Sequence, residues 1–207
     1  GYTQHATGLG SSNVDTIAEY SKGTTLKLLA GANGNIYDAT TGSISSLKSG
    51  LSVNRWETIN FNGQMGWVNG TDTPLVYDGS SFANMTVSGT GLTVTNLRGI
   101  MVHQSHTFFW ENNSQDFWYS AVNTLGGTIT KFPLSRVGAF GGNLVCAGSW
   151  NVAGGSEEWV GGGIGNDLAV FVMSSGDTIV YEGDNPASNW NLVGVYRIPD
   201  PLDIRAI

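Results

Sequence analysis

Four segments of the chain share one layout: an apolar run, a turn of small polar residues, then a second run closing on Tyr and a small or acidic residue. They are Leu26–Ala30 to Ile36-Tyr37-Asp38, Met65–Val68 to Val76-Tyr77-Asp78, Thr107–Trp110 to Trp118-Tyr119-Ser120, and Leu168–Met173 to Val180-Tyr181-Glu182. The tyrosines step by 40, 42 and 62 positions. A repeat of about 40 to 45 residues without helical period fits four short antiparallel strands per unit, the blade of a β-propeller. The long last step contains a glycine-rich insertion, Ser149 to Asn166.

Composition agrees with that reading. Charged residues make up only 12% of the 207 positions while Gly supplies 30, as expected of many tight turns joining short strands. All-β is therefore the expected class: a propeller-like array of four-stranded antiparallel blades, about four complete units. A β-sandwich also has turns every 8 to 12 residues or so, but it does not repeat a whole four-strand unit. Residues 1–13, polar and without period, read as an N-terminal arm or linker, and 14–207 as one propeller-like domain. Its units fall at about 15–49, 55–89, 97–135 and 142–198. Asn62-Gly63 and Asp78-Gly79 are hairpin turn pairs. Tyr37, Tyr77, Tyr119 and Tyr181 should occupy equivalent positions on the third strands. Before the insertion a strand is expected at Asn143–Ala147. After Pro201, Leu202 to Ala206 alternates like a further first strand. It fits ring closure or, preferred here, a portion of a larger propeller.

The formal net charge is -7, and the nine Lys and Arg are scattered singly, so no basic patch for tight nucleic-acid binding is visible. DNA near such a surface should slide. No apolar stretch has the length of a membrane-spanning helix. The single cysteine, Cys146, lies in the apolar run Leu144-Val145-Cys146-Ala147, the setting of a small core residue.

Candidate chemistry is sparse. His103 and His106 are spaced H-x-x-H but flank a hairpin turn, and a metal would need further ligands, with Glu111 or Asp116 nearest in sequence. Glu157-Glu158-Trp159 combines carboxylates with an aromatic, yet neighbours on an extended segment point to opposite sides; a glycosidase pair would need Asp184 or Asp78 from elsewhere. Gly161-Gly162-Gly163-Ile164-Gly165 precedes a strand, not a helix, and lacks the Lys-Ser/Thr of a phosphate loop. No Ser sits in a G-x-S-x-G turn. Sequons at Asn69, Asn84 and Asn112 carry no weight outside a secretory context. No catalytic centre, metal or cofactor is expected. Of seven Trp, Trp56, Trp67, Trp110, Trp118 and Trp190 fall on expected strands and should pack, while Trp150 and Trp159 lie in a loop-like setting. In the insertion, Trp150, Val152, Glu157, Glu158, Trp159 and Ile164 are the candidate partner-contact residues, aromatic and apolar anchors among glycines.

The runs His106-Thr107-Phe108-Phe109-Trp110-Glu111-Asn112-Asn113 and Phe117-Trp118-Tyr119, the segment Phe140-Gly141-Gly142-Asn143-Leu144, and Asp167 through Pro186 to Val193-Gly194-Val195-Tyr196-Arg197-Ile198 resemble a group of virion proteins of tailed bacteriophages. The resemblance covers roughly residues 50 to 207. It implies a non-enzymatic structural part of a short-tailed phage tail, the nozzle or head-to-tail connector wall around the DNA channel. Such parts assemble as oligomeric rings beside neighbouring virion proteins, with DNA only passing through. The alternatives are a carbohydrate-binding propeller for host attachment and, behind it, a glycan-cleaving enzyme. Repeated exposed Trp would favour the first and opposed carboxylates in a pocket the second.

Overall fold

The structure is a computed structural model that describes residues 5–10, 13–151 and 167–202. Sheet and turn account for it: four four-stranded antiparallel sheets, each with its strands in chain order, and two single 3-10 turns, Val94–Asn96 and Leu134–Arg136. The fold is all-β and propeller-like, with the sheets as blades.

The first sheet consists of Val14–Lys22, Thr25–Ala32, Asn35–Asp38 and Ser45–Lys48, and the second of Glu57–Phe61, Gln64–Val68, Leu75–Tyr77 and Phe82–Asn84. The third comprises Leu97–His103, His106–Glu111, Asp116–Tyr119 and Thr130–Pro133. The fourth comprises Leu144–Asn151, Asp167–Met173, Asp177–Asn185 and Asn189–Arg197. By compactness the chain divides into two units, residues 1–100 and 101–207. The division falls inside the first strand of the third sheet.

The hairpins close where the chain can adopt a left-handed backbone. Asn33-Gly34 and Asn62-Gly63 have φ of 51° and 71°, and 50° and 72°, the pair of positive angles a two-residue turn needs. Gln104 and Ser105 do the same at 45° and 66° without any glycine.

In the first unit, alternation puts Ala18, Tyr20, Leu29 and Ile36 on one face of the first sheet, against Met65, Trp67, Leu75 and Tyr77 of the second. Trp67 and Tyr20 are fully buried; each large side chain so removed from water contributes about 1.5–3 kcal/mol. Polar ties fix the two sheets. Tyr20 Oη lies 2.8 Å from both the Gly63 and the Asp78 carbonyl oxygens, and its ring meets Tyr77 edge-on at 5.1 Å. Thr16 Oγ1 donates to the Asn54 carbonyl and accepts from the Trp56 amide, each at 2.7 Å. Trp56 lies just ahead of its strand yet is buried.

The second unit is held by rings. Phe117 stacks on Phe171 across the two sheets at 4.7 Å and 9°, and on Phe108 and Phe132 at 5.0 Å each; Tyr181 stacks on Trp190 at 5.2 Å.

All four marker tyrosines lie on third strands, but their side chains do not share one orientation. Tyr77 and Tyr181 point to the partner sheet of their unit, and Tyr37, paired with Ala30, points away from it. Tyr119, paired with Phe108, points towards the fourth sheet, so the counterpart of Tyr37 in the third sheet is Trp118, buried and paired with Phe109. The aromatic run Phe117-Trp118-Tyr119 has no polar residue to reveal its phase.

Candidate functional site

The insertion does not begin where the sequence suggested. The strand before it continues past Ala147 to Asn151, paired with the following strand down to Asn151 opposite Asp167. Gly148 tolerates this because its position faces open space: a β-carbon there would meet nothing within 4 Å. Trp150 is thus a strand residue, paired with Leu168, and 64% exposed. Val152, Glu157, Glu158, Trp159 and Ile164, with the glycines of 161–165, lie outside the described residues.

Around Trp150 the registers assemble a surface. On the face of the fourth sheet turned away from the third, Gly148, Val170, Val180 and Gly194 form one row across all four strands. Trp150, Leu168, Glu182 and Asn191 form the next row on one side, and Cys146, Val172, Thr178 and Tyr196 the row on the other. Glycine ends the middle row on both sides. Tyr196 is 55% exposed, with its ring leaning over Gly194. On this face Val172 and Val180 are buried, and Trp150 and Tyr196 are the exposed aromatic side chains, with Glu182 in Trp150's row. Sequence reasoning found Trp150 but missed Tyr196, since alternation identifies a strand's two faces without saying which one is covered.

At the base of the insertion the turn of the third sheet joins in. His103, 1% exposed, has Nδ1 2.9 Å from Ser149 Oγ and Nε2 3.0 Å from the Gly183 carbonyl oxygen. Burial lowers its pKa below the ordinary imidazole value, partly countered by the Gly183 bond and by Asp167. The Gln104 amide donates to Asp167 at 2.9 Å. His106 points elsewhere, with Nδ1 2.6 Å from the Ser120 carbonyl oxygen, beside a buried chain of bonds from Thr107 to Ser120 and Thr124. The two imidazoles therefore serve separate hydrogen bonds, and no group of three potential metal ligands is found among the described residues.

Three further carboxylates named from sequence, Asp116, Asp184 and Asp78, have structural occupations. Asp116 pairs with Lys131 at 2.7 Å, and Asp184 accepts from Asn189 at 2.9 Å. Asp78 caps its own turn, and bonds from Ser81 and Ser80 hold it at about 2. A shallow depression of about 180 Å³ lies beside Lys48, Asp72, Thr73 and Asn84. Burial alone would raise the Asp72 pKa, but bonds from Asn69, Ser52 and Val53 bring it below the ordinary carboxylate value. Asn69, one of the sequon asparagines, is committed to that loop. Cys146 is half-buried, and burial pushes its thiol up to about 11, so it stays protonated at neutral pH.

No family model matches the chain, and no curated protein matches it. Among solved structures it is similar to the glutaminyl cyclase of Myxococcus xanthus, with 14% identity, 92% of this chain and 75% of that chain covered, and a TM-score of 0.41. No helix among the described residues is long and apolar enough to cross a membrane.

Proposed function

We propose that this chain is a non-enzymatic structural component of a short-tailed bacteriophage tail, in the wall of the nozzle or connector, and that it works in the virion as an oligomeric ring. The observation that carries the reading is the pair of exposed aromatic side chains, Trp150 and Tyr196, on one face of the fourth sheet at the root of the glycine-rich insertion. Exposed aromatic side chains are the residues that anchor protein contacts. Among the described residues, Asp78, His103, His106 and Asp184 are engaged in turns and in ties within and between sheets. Rigid hairpin-built sheets suit a wall, and the net charge of -7 suits a conduit through which DNA passes without sticking. The resemblance of 106–113, 117–119 and 167–198 to phage virion proteins supplies the setting.

A second reading has its own observation. Trp150 shares a row with Glu182 and Asn191, and an indole face beside a carboxylate and an amide is the equipment of a sugar-binding subsite. Among the described residues Trp150 is the one exposed tryptophan, whereas a lectin propeller would repeat it from blade to blade.

The test is assembly. The purified chain is expected to form rings by light scattering and negative-stain imaging. Replacing 152–166 by a short Gly/Ser linker, or making Trp150→Ser with Tyr196→Ser, should abolish rings while the β-sheet circular dichroism persists. A wild-type chain that stays monomeric at about 100 times the concentration of a typical micromolar contact refutes the ring, and glycan binding lost in Trp150→Ser would favour the second reading.

A further inference from the structure

We propose that His103 is an acid-sensitive tie that fastens the turn of the third sheet to the strands flanking residues 152–166. The geometry is specific. The end of the strand Leu97–His103 and the first residue of its turn reach three strands of the fourth sheet: Ser149 on the strand leading into the segment, Asp167 at the start of the strand leading out, and Gly183 on the next. His103 makes two of these contacts and Gln104 the third.

The contacts also fix the tautomer. A backbone carbonyl only accepts, so the Gly183 oxygen at 3.0 Å requires the proton on Nε2. Nδ1 of the neutral ring is then an acceptor, and the Ser149 hydroxyl donates to it at 2.9 Å. Protonation turns Nδ1 into a donor, so the Ser149 hydroxyl must rotate away and accept instead. It also places a charge in a site 1% exposed, between Trp190, edge-on at 5.6 Å, and Phe108 at 5.9 Å. The ionisable groups around the ring are Asp167, which favours the charged form, His106, which opposes it, and Glu182 and Asp184, which flank Gly183 in sequence. Burial outweighs the Gly183 bond and the Asp167 charge, and the folded-state pKa is lowered.

The sign follows. A base with a lowered pKa in the folded state takes up its proton first when the site is open. The tie is therefore at full strength above about pH 6.5, the ordinary imidazole value, and weakens as pH falls through the folded-state value. One proton linked to opening changes the opening equilibrium by up to about tenfold per pH unit in that window.

Hydrogen–deuterium exchange of the full chain between pH 7.5 and 5 tests this. After correction for intrinsic rates, protection in peptides covering 144–151 and 167–173 should fall by up to about tenfold per pH unit below about 6.5, while 57–68 stays level. His103→Gln keeps a donor for Gly183 and an acceptor for Ser149 but cannot titrate, so its protection should not vary with pH. Level protection in the wild type, an undiminished fall in His103→Gln, or an equal fall in 57–68 would each overturn the proposal. Should that variant fail to fold, nitrogen-15 spectra of the wild-type imidazole decide alone. The Nε2–H form at pH 7.5 with a midpoint below 6.5 is expected; the Nδ1–H form or a higher midpoint overturns it.

Discussion

Tyr20→Phe is the sharpest probe of how the first unit is held, because it deletes one oxygen atom and nothing else. The Tyr20 hydroxyl has a single proton and two carbonyl oxygens, those of Gly63 and Asp78, at 2.8 Å, so it satisfies one fully and shares with the other. Removing it loses about 0.5–1.5 kcal/mol of hydrogen bonding, and a carbonyl left buried adds about 1–3 kcal/mol. Both carbonyls belong to hairpin turns that are partly buried, so water repairs part of the loss. The expected cost is about 1–2 kcal/mol, in urea melts followed by the fluorescence of Trp56 and Trp67 in the same core. Tyr20→Ala also removes a fully buried ring and should cost about 3–5 kcal/mol. Gly79→Ala attacks the same spot from the other side: its β-carbon would stand 2.7 Å from the Tyr20 oxygen, at a φ of +104°. It should cost at least as much as Tyr20→Phe, and the pair should be less than additive because deleting the oxygen relieves part of the clash. A loss below about 0.3 kcal/mol in Tyr20→Phe, or one equal to that of Tyr20→Ala, refutes the reasoning.

Phe117→Ala should destabilise the second unit by about 4–5 kcal/mol, the upper part of the core-phenylalanine range, since the ring is fully buried and stacked on three others. Urea denaturation followed by near-ultraviolet circular dichroism reads it, and a loss under about 2 kcal/mol contradicts that packing. Asp72 has a lowered folded-state pKa, so its contribution is present above the ordinary carboxylate value and is lost as pH falls through the folded value. Asp72→Asn should therefore flatten the acid limb of the stability–pH curve below about pH 4, and an unchanged acid limb would count against those bonds.

The spacing of Tyr37, Tyr77, Tyr119 and Tyr181 marks the third strand of every sheet, because the repeat is a property of the chain's local layout. Their phase was not legible at Tyr119, where three aromatic residues in succession erase the alternation of polar and apolar positions. Asn62-Gly63 announces its turn through the backbone freedom of those residue types, whereas Gln104-Ser105 adopts the same turn with no such signature. Trp150 was recognised as a contact residue but assigned to a loop, since glycine in a strand reads as an interruption and Gly148 is one only when something must fill its place. The tie from His103 to Ser149 and Gly183 spans 46 and 80 positions. Spacing along the chain cannot show contacts of that range.

In the last strand, Val180 is opposite Gly194 but Tyr181 is opposite Leu192, so Val193 has no partner of its own. That one unmatched residue reverses the side on which everything before it emerges, and it is why Trp190 lies against Tyr181 while Tyr196 is on the opposite side. Length and sidedness are therefore coupled here. Loss of a single residue at this point would not shorten the strand so much as turn its first half inside out, delivering an indole to solvent and an asparagine to the aromatic stack.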